Sequence, residues 1–185
     1  MRKLALSAIV LTIIFSGTAV AEMSQHSVMV GGSAMMPNKN IVQNALNSKD
    51  HTTLVAALKA AGLVDTLEGE GPFTVFAPTN EAFSKLPSGT VENLLKPENK
   101  KQLTDVLTYH VVPGKYDMKK MAKMLKDGDG KAELKTANGE ALWIMSNGPH
   151  NIQIKDAKGN IANISTYDVM QKNGVIDVID TVLMP

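Results

Sequence analysis

The sequence predicts an α+β domain. Helical periodicity dominates from residue 40 to about 127, and strand periodicity with tight-turn signals takes over from 131 to the end. Within the helical half, one apolar run bracketed by Pro72 and Pro78 reads as a short buried strand. No segment repeats another, which indicates one domain rather than an array.

Ile41, Val42, Ala45 and Leu46 form a first apolar helical stripe. Asp50 offers a cap for a second helix carrying Leu54, Val55, Leu58 and Ala61, which Gly62 ends. His51, between them, reads as a solvated first-turn residue. Leu63, Val64 and Leu67 continue the apolar surface into the Gly69-Glu70-Gly71-Pro72 turn, whose glycines free the backbone. The stretch Gly71–Phe83 follows, and the rest of the chain is predicted to be organised around it. Phe73, Val75 and Phe76 make the strand, Thr79 or Asn80 can cap a short helix, and three of the four Phe lie here.

Val91, Leu94 and Leu95 mark another short helix. Pro97 is well placed to open one with Leu103, Val106 and Leu107 inward, delivering Tyr109 and His110 to a Val111-Val112 strand. A His at such a junction is read as a holder of backbone groups rather than as an acid or base. Asp117 caps a basic helix with Met118, Met121, Met124 and Leu125 on one face and Lys119, Lys120, Lys123 and Lys126 on the other. The methionine stripe reads as its buried face, and the lysines as a solvated face able to touch acidic surfaces or a polyanionic polysaccharide. Asn138-Gly139 signals a hairpin between 131–137 and 140–145. A second strand pair follows at 151–155 and 160–165, and a last strand starts at Val175. Trp143, the one Trp, is expected to pack across the sheet.

Thr74–Phe83, Thr-Val-Phe-Ala-Pro-Thr-Asn-Glu-Ala-Phe, resembles the first signature segment of the fasciclin domain family. Leu107–Lys115 is similar to that family's Tyr-His segment, and Asn173–Asp180 to its closing segment, in the same order. The resemblance covers about Asn40 to Pro185 and implies one wedge of β-strands decorated by short helices. It also implies a non-enzymatic extracellular module of adhesion and surface association. In animal relatives, receptor binding is associated with positions that match Tyr109, His110, Asp168 and Val169 here, so these four are the expected partner-binding residues. Many relatives carry His where this chain has Asp177.

Residues 1–21 read as a signal peptide: Arg2 and Lys3, an apolar run Leu4–Phe15, and Ala19-Val20-Ala21 before the cut. The expected chain is secreted or periplasmic, bacterial in its signal, with no integral membrane segment after the cut. It would carry 17 basic against 18 acidic residues, and near-neutrality argues against nucleic acid as partner. There is no Cys, and Arg2 is the single Arg, so thiol chemistry and guanidinium forks are both excluded. The chain has no Gly-x-Ser-x-Gly elbow, phosphate loop or His-Glu-x-x-His helix, so no catalytic residue and no cofactor are expected.

Residues 22–39 read as a partly mobile Met-rich arm, leaving 40–185 as the domain. Two functions compete. One is an exported adhesion module that binds a cell-surface or matrix protein or glycan. The other is periplasmic copper binding through Met23, His26, Met29, Met35 and Met36, soft ligands suited to the monovalent ion.

Overall fold

The computed structural model describes residues 27–149 and 151–185. The expected signal peptide and cut, with Met23 and His26, lie outside the described residues. The described residues open with a hairpin, β1 (Val28–Val30) and β2 (Ser33–Met35), turned by Gly31 and Gly32, whose φ values of 58° and 72° require glycine. Val30 and Met35 point into the core. From Val28 onward, therefore, the expected arm is part of the folded domain.

Helices form at the predicted apolar stripes, but Asp50 does not cap the second of them, and a 3₁₀ turn at Pro97–Asn99 precedes the helix that Pro97 was expected to open. Asn40 and Gln43 close a reciprocal capping box on α1 (Ile41–Ala45). A 3₁₀ turn at Lys49–His51 leads into α2 (Thr52–Ala61), which ends on left-handed Gly62. Its cap comes from far along the chain. Asn80 Oδ1 accepts from Thr53 N at 3.0 Å and Asn80 Nδ2 donates to the Lys49 carbonyl at 2.9 Å. His51 is consequently buried rather than solvated, with Nδ1 2.8 Å from Ser48 Oγ.

After α3 (Val64–Glu68) comes β3 (Phe73–Pro78), then α4 (Asn80–Ser84), capped by Thr79 Oγ1 on Ala82 N. Helices α5 (Thr90–Leu94) and α6 (Lys100–Tyr109) lead to β4 (Val111–Pro113). Asp117 then caps α7 (Met118–Asp127), whose Met121 and Leu125 are buried. The meander is β5 (Lys131–Lys135), β6 (Ala141–Ser146), β7 (Ile152–Lys155), β8 (Ile161–Gln171) and β9 (Gly174–Ile179).

These strands make one seven-stranded sheet, in the order β4-β3-β9-β8-β7-β6-β5. Its two ends approach where Ala137 N donates to the Val111 carbonyl at 2.7 Å, so the sheet curls into a wedge. The edge strand β5 turns Lys131, Glu133 and Lys135 to solvent.

Two cores result, and β3 and β9 separate them. Val75, Ala77, Ile176 and Val178 pack against α1, α2, α4 and α6, while Phe76 and Ile179 face the inside of the wedge with Leu142, Ile144, Ile154 and Met121. Every residue of β9 is buried, as a strand covered on both faces must be. β8 serves both cores. It carries Ile164 inside the wedge and Val169 in the helical core, changing sides through bulges where Asp168 adopts φ 55°.

The parallel β3–β9 pair starts at an unusually close backbone contact. A Cβ on Gly174 would sit 2.0 Å from the Phe73 carbonyl oxygen, and one on Gly71 equally close to that of Asn173. These glycines are required for room rather than for φ freedom, which revises the reading of Gly71 as a flexible turn residue. Gly174→Ala is expected to cost at least about 2 kcal/mol in urea unfolding, because backbone must move. Gly89→Ala, where a Cβ meets open space at φ 82°, is expected to cost only about 1 kcal/mol.

Candidate functional site

The three sequence segments singled out above become three adjacent strands. β3 pairs in parallel with β9 from Phe73↔Gly174 to Pro78↔Ile179, and antiparallel with β4 from Phe73↔Pro113 to Val75↔Val111. Phe76 N donates to the His110 carbonyl at 2.9 Å, which ties the Tyr-His segment to the centre of the first.

Tyr109 and His110 are bound into the interior. The His110 ring is 2% exposed; Nδ1–H donates to the Val106 carbonyl at 2.8 Å, and Nε2 accepts from Leu183 N at 3.0 Å. That pair of bonds fixes a neutral tautomer, and burial pushes the pKa down from 6.5 to about 4. The Tyr109 hydroxyl donates to the Ala141 carbonyl at 2.8 Å and accepts from Ala157 N at 2.9 Å. A clamp of this kind fixes backbone, as expected for a His at that junction. It has no hydroxyl or thiol nucleophile bonded to its imidazole.

A sequence model of the fasciclin domain family matches residues 49–185. The chain belongs to that family. Protein sll1483 of Synechocystis sp. is 46% identical over 171 residues, spanning 90% of this chain and 86% of that protein. The cell surface glycolipoprotein MPB83 of Mycobacterium bovis is 34% identical over 167 residues, with 88% and 68% covered. In three dimensions the fold is similar to a FAS1 domain pair from the insect cell adhesion molecule fasciclin I. That match has a TM-score of 0.70 at 20% identity and covers 88% of this chain and 59% of that one.

The structure corrects the exposure expected of the fasciclin partner-binding positions. Tyr109, His110 and Val169 are 0%, 2% and 1% exposed, so their side chains are packing and clamping groups. Asp168 is half-buried, and its Oδ1 accepts from Met118 N at 2.8 Å at the start of α7. Of the expected copper ligands within the described residues, Met35 is a core side chain, Met29 is on the opposite face of its hairpin at 63% exposed, and Met36 is half-buried. The hairpin thus directs Met29 and Met35 apart. Among the described residues, no group of three or more His, Cys, Asp or Glu is placed to hold a metal ion. Trp143 was expected to pack across the sheet. It lies half-buried on the outer face, across from Lys155 on β7 and Glu133 on β5.

Asp177, at the position where many fasciclin relatives carry His, is fully buried opposite Phe76. Its Oδ1 accepts from Asp168 N at 2.9 Å, while Oδ2 is buried without a partner. Burial pushes its pKa up to about 7, with the carboxylates of Asp168 and Asp117 adding to the rise.

Asp177 and His110 act on stability in opposite directions. Folded Asp177 holds its proton to about pH 7 while the unfolded chain ionises near 3.8, so its contribution falls as pH rises through that window, by about 4 kcal/mol in all. Folded His110 stays neutral down to about pH 4 while the unfolded chain protonates near 6.5, so its contribution rises with pH, by about 3 kcal/mol. Burial also lowers the pKa of His51, which acts in the sense of His110. The native protein is therefore expected to have nearly level stability between pH 4 and 7. Asp177→Asn is expected to climb across that range by about 3 kcal/mol and to exceed the native protein most at pH 8, as read by chemical denaturation at each pH.

Proposed function

We propose that the protein is an exported, non-enzymatic module that attaches to a cell-surface or matrix partner, protein or glycan. Fasciclin domains are in general adhesion modules, and one relative carries "cell surface" in its name. The observation that carries the reading is the use to which the polar groups are put. The Tyr109 hydroxyl, both ring nitrogens of His110 and Asp168 Oδ1 are bonded to backbone, whereas the curved sheet turns Trp143, Ile161 and several lysines outward.

Export follows from the leader-like residues 1–21. No helix among the described residues is long and apolar enough to cross a membrane. Tyr109, His110, Asp168 and Val169 contribute to an attachment surface by holding its strands in place.

The mature chain, mixed with isolated native envelopes and centrifuged, is expected to sediment in a saturable fashion that excess unlabelled chain competes away. Recovery of all the chain in the supernatant at every envelope concentration would overturn the proposal.

A further inference from the structure

The outer face of β5, β6, β7 and β8 is built differently from the rest of the surface. Cross-strand pairing sets Glu133, Trp143, Lys155 and Ile161 in one row, and Lys131, Met145, Gln153 and Asn163 in the next. Trp143 belongs to neither core, and Ile161 is 45% exposed. Lys131 Nζ stands 5.5 Å from the centre of the Trp143 ring, within reach of cation–π attraction. Lys131, Trp143, Lys155 and Lys158 line a shallow cleft of about 290 Å³.

The exposed charge on this face is mainly basic. Lys131, Lys135, Lys155 and Lys158 stand against Glu133, with Glu140 in the loop beyond. None of the four lysines is in an ion pair among the described residues. Asp156 also lines the cleft, but it is 1% exposed and its carboxylate accepts from Asn160 N, Asn160 Nδ2 and Met184 N, so the lysines are the charges that reach solvent there. Asp180 lies at the far end of the second row, beyond the cleft, where it accepts from Asn163 N and Nδ2.

We propose that this face binds an acidic polysaccharide. The indole offers a flat, electron-rich surface for the C–H face of a sugar ring. The lysines, as mobile point charges around it, match anionic groups carried by successive sugars. A purely acidic peptide would use the lysines but leave the indole idle, and a neutral glycan would do the reverse. Tyr109 is the positioning residue. Its hydroxyl holds Ala141, two residues before Trp143, and Ala157, next to Lys158, so the two halves of the cleft are pinned to one buried atom.

This inference rests on the surface-association reading and names its ligand. Trp143 is the only Trp in the chain, so indole emission reports on the site directly. Titration with polygalacturonate is expected to change that emission saturably. On immobilised polygalacturonate, Trp143→Ala and the double variant Lys131→Glu, Lys158→Glu are each expected to bind at least tenfold more weakly. Polyglutamate and neutral dextran are expected to bind the native protein at least tenfold more weakly than polygalacturonate. The two lysines are surface residues, so the double variant answers even if Trp143→Ala melts early. Native-like binding by either folded variant, or equal binding of polyglutamate, would overturn the inference. Envelope association in a protein that ignores polygalacturonate would overturn this inference alone and leave the attachment proposal standing.

Discussion

The contact on which the remaining structure depends is the parallel pairing of β3 with β9, two strands joined only through the rest of the domain. Phe73 and Gly174 open the ladder at a distance that no side chain at Gly174 would allow, and Asn173 then ties the junction further. Its Oδ1 accepts from Ile41 N, and its Nδ2 donates to the carbonyls of Leu67 and Gly69. One amide therefore ties the first helix, the turn before β3 and the last hairpin. Because both strands are covered on both faces, helices and wedge are not separable units. Each core uses alternate side chains of the same two strands.

Burying polar groups between those cores has an electrostatic consequence. His110 is kept neutral by burial, with two backbone bonds fixing its tautomer, and Asp177 holds its proton to about pH 7 for want of solvent. A buried imidazole penalises acid and a buried carboxylate penalises base, and here the two penalties fall across the same interval. A fold of this family with an imidazole at position 177 would lack the second of these responses.

Much of the architecture was legible in the sequence because prolines, caps and tight-turn pairs mark its boundaries. Pro72 and Pro78 bracketed β3, Asp117 marked the start of α7, and Asn138-Gly139 marked the β5–β6 turn. What stayed hidden has specific causes. Ala141 to Met145 is apolar at every position, so alternation could not say which phase faced inward, and the side on which Trp143 lies was not legible. His51 sits in a polar stretch that looks exposed, but the turn on either side of it is held by Asn80, 29 residues later. Val169 is turned inward by bulges in β8. The Gly31-Gly32 pair did carry a hairpin signal, and the mobile-arm reading passed over it. The clamp role of His110 was readable from its place at a helix-to-strand junction, whereas the outer-face cluster required the register of four strands.

The open rim of the wedge adds one more property. A strand with free amides invites a neighbouring molecule to continue the ladder, and molecules crowded on a surface meet at high local concentration. Here that rim alternates Lys131, Glu133 and Lys135 outward, and Ala137 at its end is already bonded to Val111. Neighbouring copies would thus stay separate bodies instead of zipping into fibrils.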